Sequence, residues 1–210
     1  MVVSRDVLTG MFEKLRGELN LESELDEKIR LLCREVIRYS KLSILNRHRG
    51  ETEKAYTNLR EAESRLNTLR SLVLSRPEVI GMESYRMACQ EYVEAYLYLC
   101  CTDGIIPKLP EELNVSPSTY ILGLADLVGE LRRGVLEYLR RGDFVNAEEY
   151  SRIMKWIYEE LLLIEGPPAL SGRLRHKIDV ARRMVETTES ELFFESGKKK
   201  LIEALSKLTG

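Results

Sequence analysis

Two short stretches of the chain carry carboxylates where almost everything around them is apolar. Between Ser84 and Cys101, SYRMACQEYVEAYLYLCC has only three charged residues, Arg86, Glu91 and Glu94. Helical positions three apart share a face, so both glutamates point the same way from an otherwise core-like helix. Between Ser118 and Leu131, STYILGLADLVGEL has just Asp126 and Glu130, four apart and again on one face. Burying like charges together is costly unless a cation or hydrogen bonds compensate. Four oxygen donors without His or Cys suit Mg²⁺ or Mn²⁺ rather than zinc. Glu24 with Glu27 and Glu186 with Glu189 repeat the three-residue spacing, but on charge-rich faces where water solvates them. The two pairs of interest differ in being the only acids of an apolar helix.

A second constellation is basic. From Lys28 to Arg49 there are seven Lys or Arg, plus His48, against one acid, Glu35. On a straight helix Arg30, Arg34, Arg38, Lys41 and His48 fall within roughly 80° of arc. A solvated helix surface would explain such a stripe, but the sign asymmetry in a chain of net charge −2 favours phosphate binding. With that net charge, any RNA contact has to come from a local patch.

These residues sit on elements whose apolar positions recur at i, i+3, i+4 and i+7, and alternating β-branched runs are missing. The fold class is all-α. Helix-stop chemistry falls at 49–51, 76–81, 102–117, 141–143, 165–172 and 195–198, which delimits about seven helices: 4–49, 51–75, 82–101, 117–141, 144–164, 171–195 and 198–208. Ser116-Pro117 reads as a cap followed by proline at the first helical position, and Gly142-Asp143 as a stop followed by a cap. Gly and Asn between Gly17 and Ser23 lower helix propensity inside the first helix, which predicts a bend there. Gly123 and Gly129 bracket the second acidic pair, and small residues let a neighbouring backbone approach closely.

At 210 residues, with no low-complexity linker, residues 1–210 read as a single domain. No apolar run approaches the roughly 20 residues of a membrane span, and the N-terminal stretch mixes charge into every turn, so a soluble, cytoplasmic protein is expected. Cys33, Cys89, Cys100 and Cys101 form no CxxC pair and read as buried free thiols. One glutamine, Gln90, against 66 charged side chains is the bias of a heat-adapted protein. His176 reads as a surface histidine, and Trp156 with Tyr158 as core. No phosphate-binding loop, dinucleotide glycine motif or nucleophile elbow is present.

Taken in order, these segments resemble the translin family, and its translin-associated factor X (TRAX) branch more than translin itself. Ser40-Lys41 followed by His48-Arg49 resembles the family's S-K-x6-H-R ending of the first long helix. QEYVEA at Gln90 to Ala95 resembles the segment with the two catalytic glutamates of TRAX, and PSTYILGLADLVGE at Pro117 to Glu130 the stretch with the remaining acidic ligands. RRGDFVNAEEYSRIMKWIYEEL and RLRHKIDVARRMVETTESELF match later helices more loosely.

The resemblance implies that Glu91, Glu94, Asp126 and Glu130 are both catalytic and metal-binding. It also implies a seven-helix fold assembled into a hollow homo-oligomer, roughly an octamer, with single- or double-stranded RNA held inside and the Lys28 to Arg49 stripe, Arg49 included, facing the cavity. The chain departs from TRAX in having only Thr102 to Ser116 between the acidic helices and no basic N-terminal extension. That fits a compact, archaeal-type form assembling with itself and leaves nuclear import unsupported. The expected chemistry is metal-dependent endonucleolytic hydrolysis of RNA. The alternative is a non-catalytic, translin-like binder of RNA or single-stranded DNA, and a bare helical scaffold would need neither constellation. Self-association is also expected from the two-faced apolar pattern of Ile29 to Leu45.

Overall fold

The computed structural model describes residues 4–209. Among them every regular element is helical: α1 (Arg5–His48), α2 (Thr52–Ser75), a short 3-10 turn (Pro77–Gly81), α3 (Glu83–Asp103), α4 (Pro117–Arg140), α5 (Phe144–Leu162) and α6 (Pro168–Thr209). The C-terminal part of α1 packs on α2 and α3, α3 packs on α4, and α4 packs on α5 and α6. The acidic helices α3 and α4 therefore lie at the centre, with α1 on one side and α6 on the other.

Local chemistry sets the ends. At the end of α1, Gly50 takes φ +77°, and the Glu51 N–H donates to the Asn46 carbonyl at 2.8 Å. Only a residue without Cβ adopts that left-handed turn at no steric cost, and the bond satisfies a carbonyl the helix leaves open. Gly142 repeats it at φ +73°, with the Asp143 N–H on the Tyr138 carbonyl at 3.0 Å. Asp143 then caps α5 by accepting from the Asn146 N–H at 3.1 Å, and Ser116 caps α4 by accepting from Thr119 N–H at 3.1 Å. The 104–116 connection is held by two tyrosines: Tyr96 Oη accepts from the Lys108 N–H and Tyr120 Oη donates to the Lys108 carbonyl, each at 2.9 Å.

Several expectations need correction. No break occurs at 195–198; the last two expected helices are one, α6. A helical glycine costs only about 1 kcal/mol relative to alanine, and Glu195 and Lys198 pair across that turn. Gly17 to Ser23 lie inside α1, one continuous helix as the reading of 4–49 expects. Trp156 is 61% exposed while Tyr158 is packed against the core, because residues two apart on a helix face opposite ways. The apolar residues of Ile29 to Leu45 are mostly used inside the chain, with Ile29, Val36 and Ile44 buried. The surplus lies instead on the outer part of α1, at Val7, Leu8, Met11, Phe12, Leu15 and Leu19, and at the end of α6, at Phe193, Phe194, Leu201, Ile202 and Leu205. Cys33, Cys89 and Cys100 are buried and Cys101 half-buried, all as free thiols, and burial pushes Cys89 and Cys101 up to about 11.

The contact that sets α3 against α4 is at Gly123. A Cβ there would lie 2.7 Å from Val93 Cγ1, 3.0 Å from Val93 Cβ and 3.3 Å from the Gln90 carbonyl oxygen. Val93 is fully buried and β-branched, so it has no rotamer to retreat into. Gly123→Ala is expected to cost about 1–3 kcal/mol as an overpacking change in chemical denaturation. Gly129→Ala, whose Cβ would meet only the flexible end of Met184 at 3.8 Å, is expected to be neutral or stabilising. Equal behaviour of the two variants would mean that the α3–α4 spacing is not fixed at Gly123.

Candidate functional site

The two acidic pairs meet across the α3–α4 contact. Glu91 and Glu94 on α3 and Glu130 on α4 line a cleft of about 430 Å³, whose other walls are Lys41, Ile44 and Leu45 from α1 and Arg133 from α4. Asp126, one turn before Glu130, opens into an adjoining cleft of about 210 Å³ beside Gly129, His176 and Lys177. The sequence-derived quartet is thus gathered in one region, three acids in one cleft and the fourth in the next. His176 is exposed, as expected.

Three of the four acids have partners. Lys41 Nζ stands 3.4 Å from Glu91 Oε1. Glu130 Oε2 lies 2.7 Å from His48 Nε2, with Arg133 Nη1 at 3.8 Å. Asp126 is held at both oxygens, accepting from Lys177 Nζ at Oδ1 and from Gln90 Nε2 at Oδ2. Glu94 has no hydrogen-bonded or ion-paired side chain among the described residues. Burial, then the charges of Asp126, Glu91 and Glu130, push its carboxyl up to about 8, against the opposing pull of Lys177. Burial and the three neighbouring acids thus favour the neutral form of Glu94. Glu91 is raised too, by burial first, with Lys41 working against it and Asp126 for it.

Coordination chemistry can be judged from these donors. Among the described residues no three His, Cys, Asp or Glu side chains stand ready to chelate an ion, because Asp126, Glu130 and Glu91 are each turned toward a base. The donor set itself fits a hard divalent cation: four carboxylates on two packed helices, one of them, Glu94, without a base beside it.

The basic stripe is partly where its angles put it. Arg30, Arg34, Arg38, Lys41 and Arg49 are exposed. They lie along the edge of the buried face of α1, which is how Lys41 reaches Glu91. His48 does not belong with them: its side chain is buried, and it is corrected from an RNA contact to an internal support. Its Nδ1 lies 3.0 Å from Tyr98 Oη, so a ring accepting from the tyrosine there carries its proton on Nε2 and donates it to Glu130. Arg47 is also internal, with Nη2 2.5 Å from Asp103 Oδ1 and Nε donating to Thr102 Oγ1 at 2.8 Å.

Two residues of the site escaped the sequence reading. Gln90 is 3% exposed and bonds Asp126 across the helix interface; its one mark in the sequence is that it is the chain's single glutamine. Lys177 sits amid bases in RLRHKIDVARR, and its one distinguishing mark is its register with Leu174, Ala181 and Val185, the inward residues of α6.

Comparison with known proteins agrees with this architecture. The Translin family model matches residues 24–194. An uncharacterised protein of Methanocaldococcus jannaschii is 31% identical over 91% of this chain and 84% of its own length. Translin-associated protein X of Rattus norvegicus is 25% identical, over 78% of this chain and 71% of its own. Among solved structures, a complex of AfC3PO with duplex RNA superposes with a TM-score of 0.78 at 31% identity, covering 90% of this chain and 97% of that one. Apo-NeC3PO gives 0.69 at 26% identity over 93% and 98%. With more than half of its length matched by the family model, and its all-helical fold shared with these structures, the chain belongs to the translin family.

Proposed function

We propose that the chain is a divalent-metal-dependent endoribonuclease of the catalytic, TRAX-like branch of its family, with Glu91, Glu94, Asp126 and Glu130 holding Mg²⁺ or Mn²⁺. The observation that carries this reading is Glu94, an acid placed among three others and left without a cation of its own. Such an ion, when bound, polarises the scissile phosphate and makes an attacking water more acidic.

The chain's own residues have separable tasks. Arg30, Arg34, Arg38 and Arg49 are exposed to take backbone phosphates, and Lys41 and Arg133 flank the acids at the mouth of the cleft. Ile44 and Leu45 give the cleft one apolar wall. His48, backed by Tyr98, orients Glu130, and Gln90 orients Asp126. RNA as the ligand is supported by the AfC3PO likeness, since that protein was solved with duplex RNA, and either strand form is compatible with phosphate contacts.

Assembly into a hollow homo-oligomer, an octamer by family resemblance, is part of the proposal. The apolar faces at Val7 to Leu19 and Phe193 to Leu205 are the surfaces available for it. No helix among the described residues is long and apolar enough to cross a membrane. A cytoplasmic setting accords with four unpaired cysteines. The alternative, a non-catalytic translin-like binder of RNA or single-stranded DNA, draws on the internal bases: Lys177, His48 and Lys41 already engage three of the four acids.

Glu94→Gln keeps the shape and removes the charge. RNA cleavage in Mn²⁺ is expected to fall to the level seen in EDTA while RNA binding persists. The stability sign follows from the raised carboxyl. Unfolded Glu94 titrates near 4.5 and folded Glu94 near 8, so its contribution is present at low pH and is lost as pH rises through about 8. Above that pH, without divalent ions, Glu94→Gln is expected to exceed the parent by about 1 kcal/mol or more, about 2 to 4 °C in Tm per kcal/mol for a domain of this size. In the parent, Mn²⁺ is expected to raise Tm more at pH 8.5 than at pH 6. Cleavage per folded molecule that survives the substitution would refute the catalytic assignment.

Arg34→Glu with Arg38→Glu is expected to weaken RNA binding and to flatten log affinity against log salt by about 0.7 to 0.9 per lost phosphate contact. An unchanged slope would remove the stripe from the interface. Light scattering at micromolar concentration is expected to give a multiple of the 24.3 kDa chain, and a monomer would sink the shell.

A further inference from the structure

Asp126 is gripped by two side chains of different character. Gln90, on α3, is almost fully buried, and its own Oε1 accepts from Arg173 Nη2 at 3.4 Å, so it is a fixed donor. Lys177, on α6, is a compact charge at the end of a flexible stem, 23% exposed beside the second cleft. Its ammonium sits on Asp126 Oδ1, and its field also reaches Glu91 and Glu94. A monovalent cation at that position does for three of the four acids part of what a divalent ion would do. The two cannot share Oδ1 easily, because like charges within a few ångströms repel strongly in a recessed site.

We propose that Lys177 is a resident counter-ion of the acid cluster, displaced from Asp126 when a divalent ion binds, so that this one lysine sets how tightly the chain holds its ion. The inference rests on the metal-dependent reading above and adds to it a positioning residue outside the acidic helices. Lys177 keeps Asp126 aimed and the carboxylates from forcing α3 and α4 apart, and its removal makes the ion bind more tightly rather than less. A residue that merely braced the fold would produce the opposite sign.

The test is a Mn²⁺ titration of the full chain, followed by calorimetry or by the paramagnetic signal of free Mn²⁺, with no RNA present. Lys177→Met is expected to tighten Mn²⁺ binding by about tenfold, about 1.4 kcal/mol. Lys177→Arg, which keeps a cation there, is expected to stay with the parent. In an Asp126→Asn background Lys177→Met is expected to change nothing, because the competition is for Asp126. Lys177→Gln, polar and neutral, guards against a packing fault introduced by methionine and is expected to move affinity in the same direction. Unchanged or weaker binding in both neutral variants overturns the inference and leaves the metal site standing. Binding by Lys177→Met where the parent binds none supports the inference in its strongest form. Absence of saturable binding in every variant overturns both it and the metal-dependent reading.

Discussion

The site of this molecule is arranged around the repulsion of four carboxylates gathered where α3 packs on α4. Two come from α3 and two from α4, and Gly123 lets those helices approach until Val93 fills the space a side chain would have taken. Charges so placed cannot be left to water, and the two flanking helices that reach them answer with donors. Helix α1 supplies Lys41 to Glu91 and His48 to Glu130, and α6 supplies Lys177 to Asp126. Glu94 is left without a base, and burial with its acidic neighbours raises its carboxyl.

The same arrangement separates the exposed bases from the acids. The exposed arginines of α1 form a field of one sign on a chain whose net charge is −2, and the acids are recessed behind them. A polyanion meeting this surface is drawn to the bases first, and Lys41 and Arg133 shield the cleft from repelling it. A local excess of charge is sufficient for such steering, and the net charge of the chain says little about it.

How much of this could be read beforehand depended on whether a residue's signal was periodic. The acidic pairs stood out because a charge in an apolar helix breaks a pattern, and the caps at Ser116 and Asp143 because their chemistry is local. Lys177 was hidden because it is one base among many; only knowledge of which face of α6 is buried separates it from Arg175. His48 was misplaced because angular position alone does not say which neighbour covers the last turn of a helix, and Tyr98 covers it. Helix α6 runs through Gly197 because a glycine is a weak stop signal when nothing else ends the helix there. The apolar surplus of the chain was assigned to Ile29–Leu45 because self-complementary faces and buried faces look alike until partners are known.

Helix α1 joins two regions that share no other element. It runs unbroken from Arg5 to His48, exposed along 5–24 and packed from Ile29 onward. At about 1.5 Å per residue the free portion reaches about 36 Å beyond its first buried residue. Over 5–24 its order rests on its own ladder of hydrogen bonds and on propensity, with Phe12 and Leu15 left facing water.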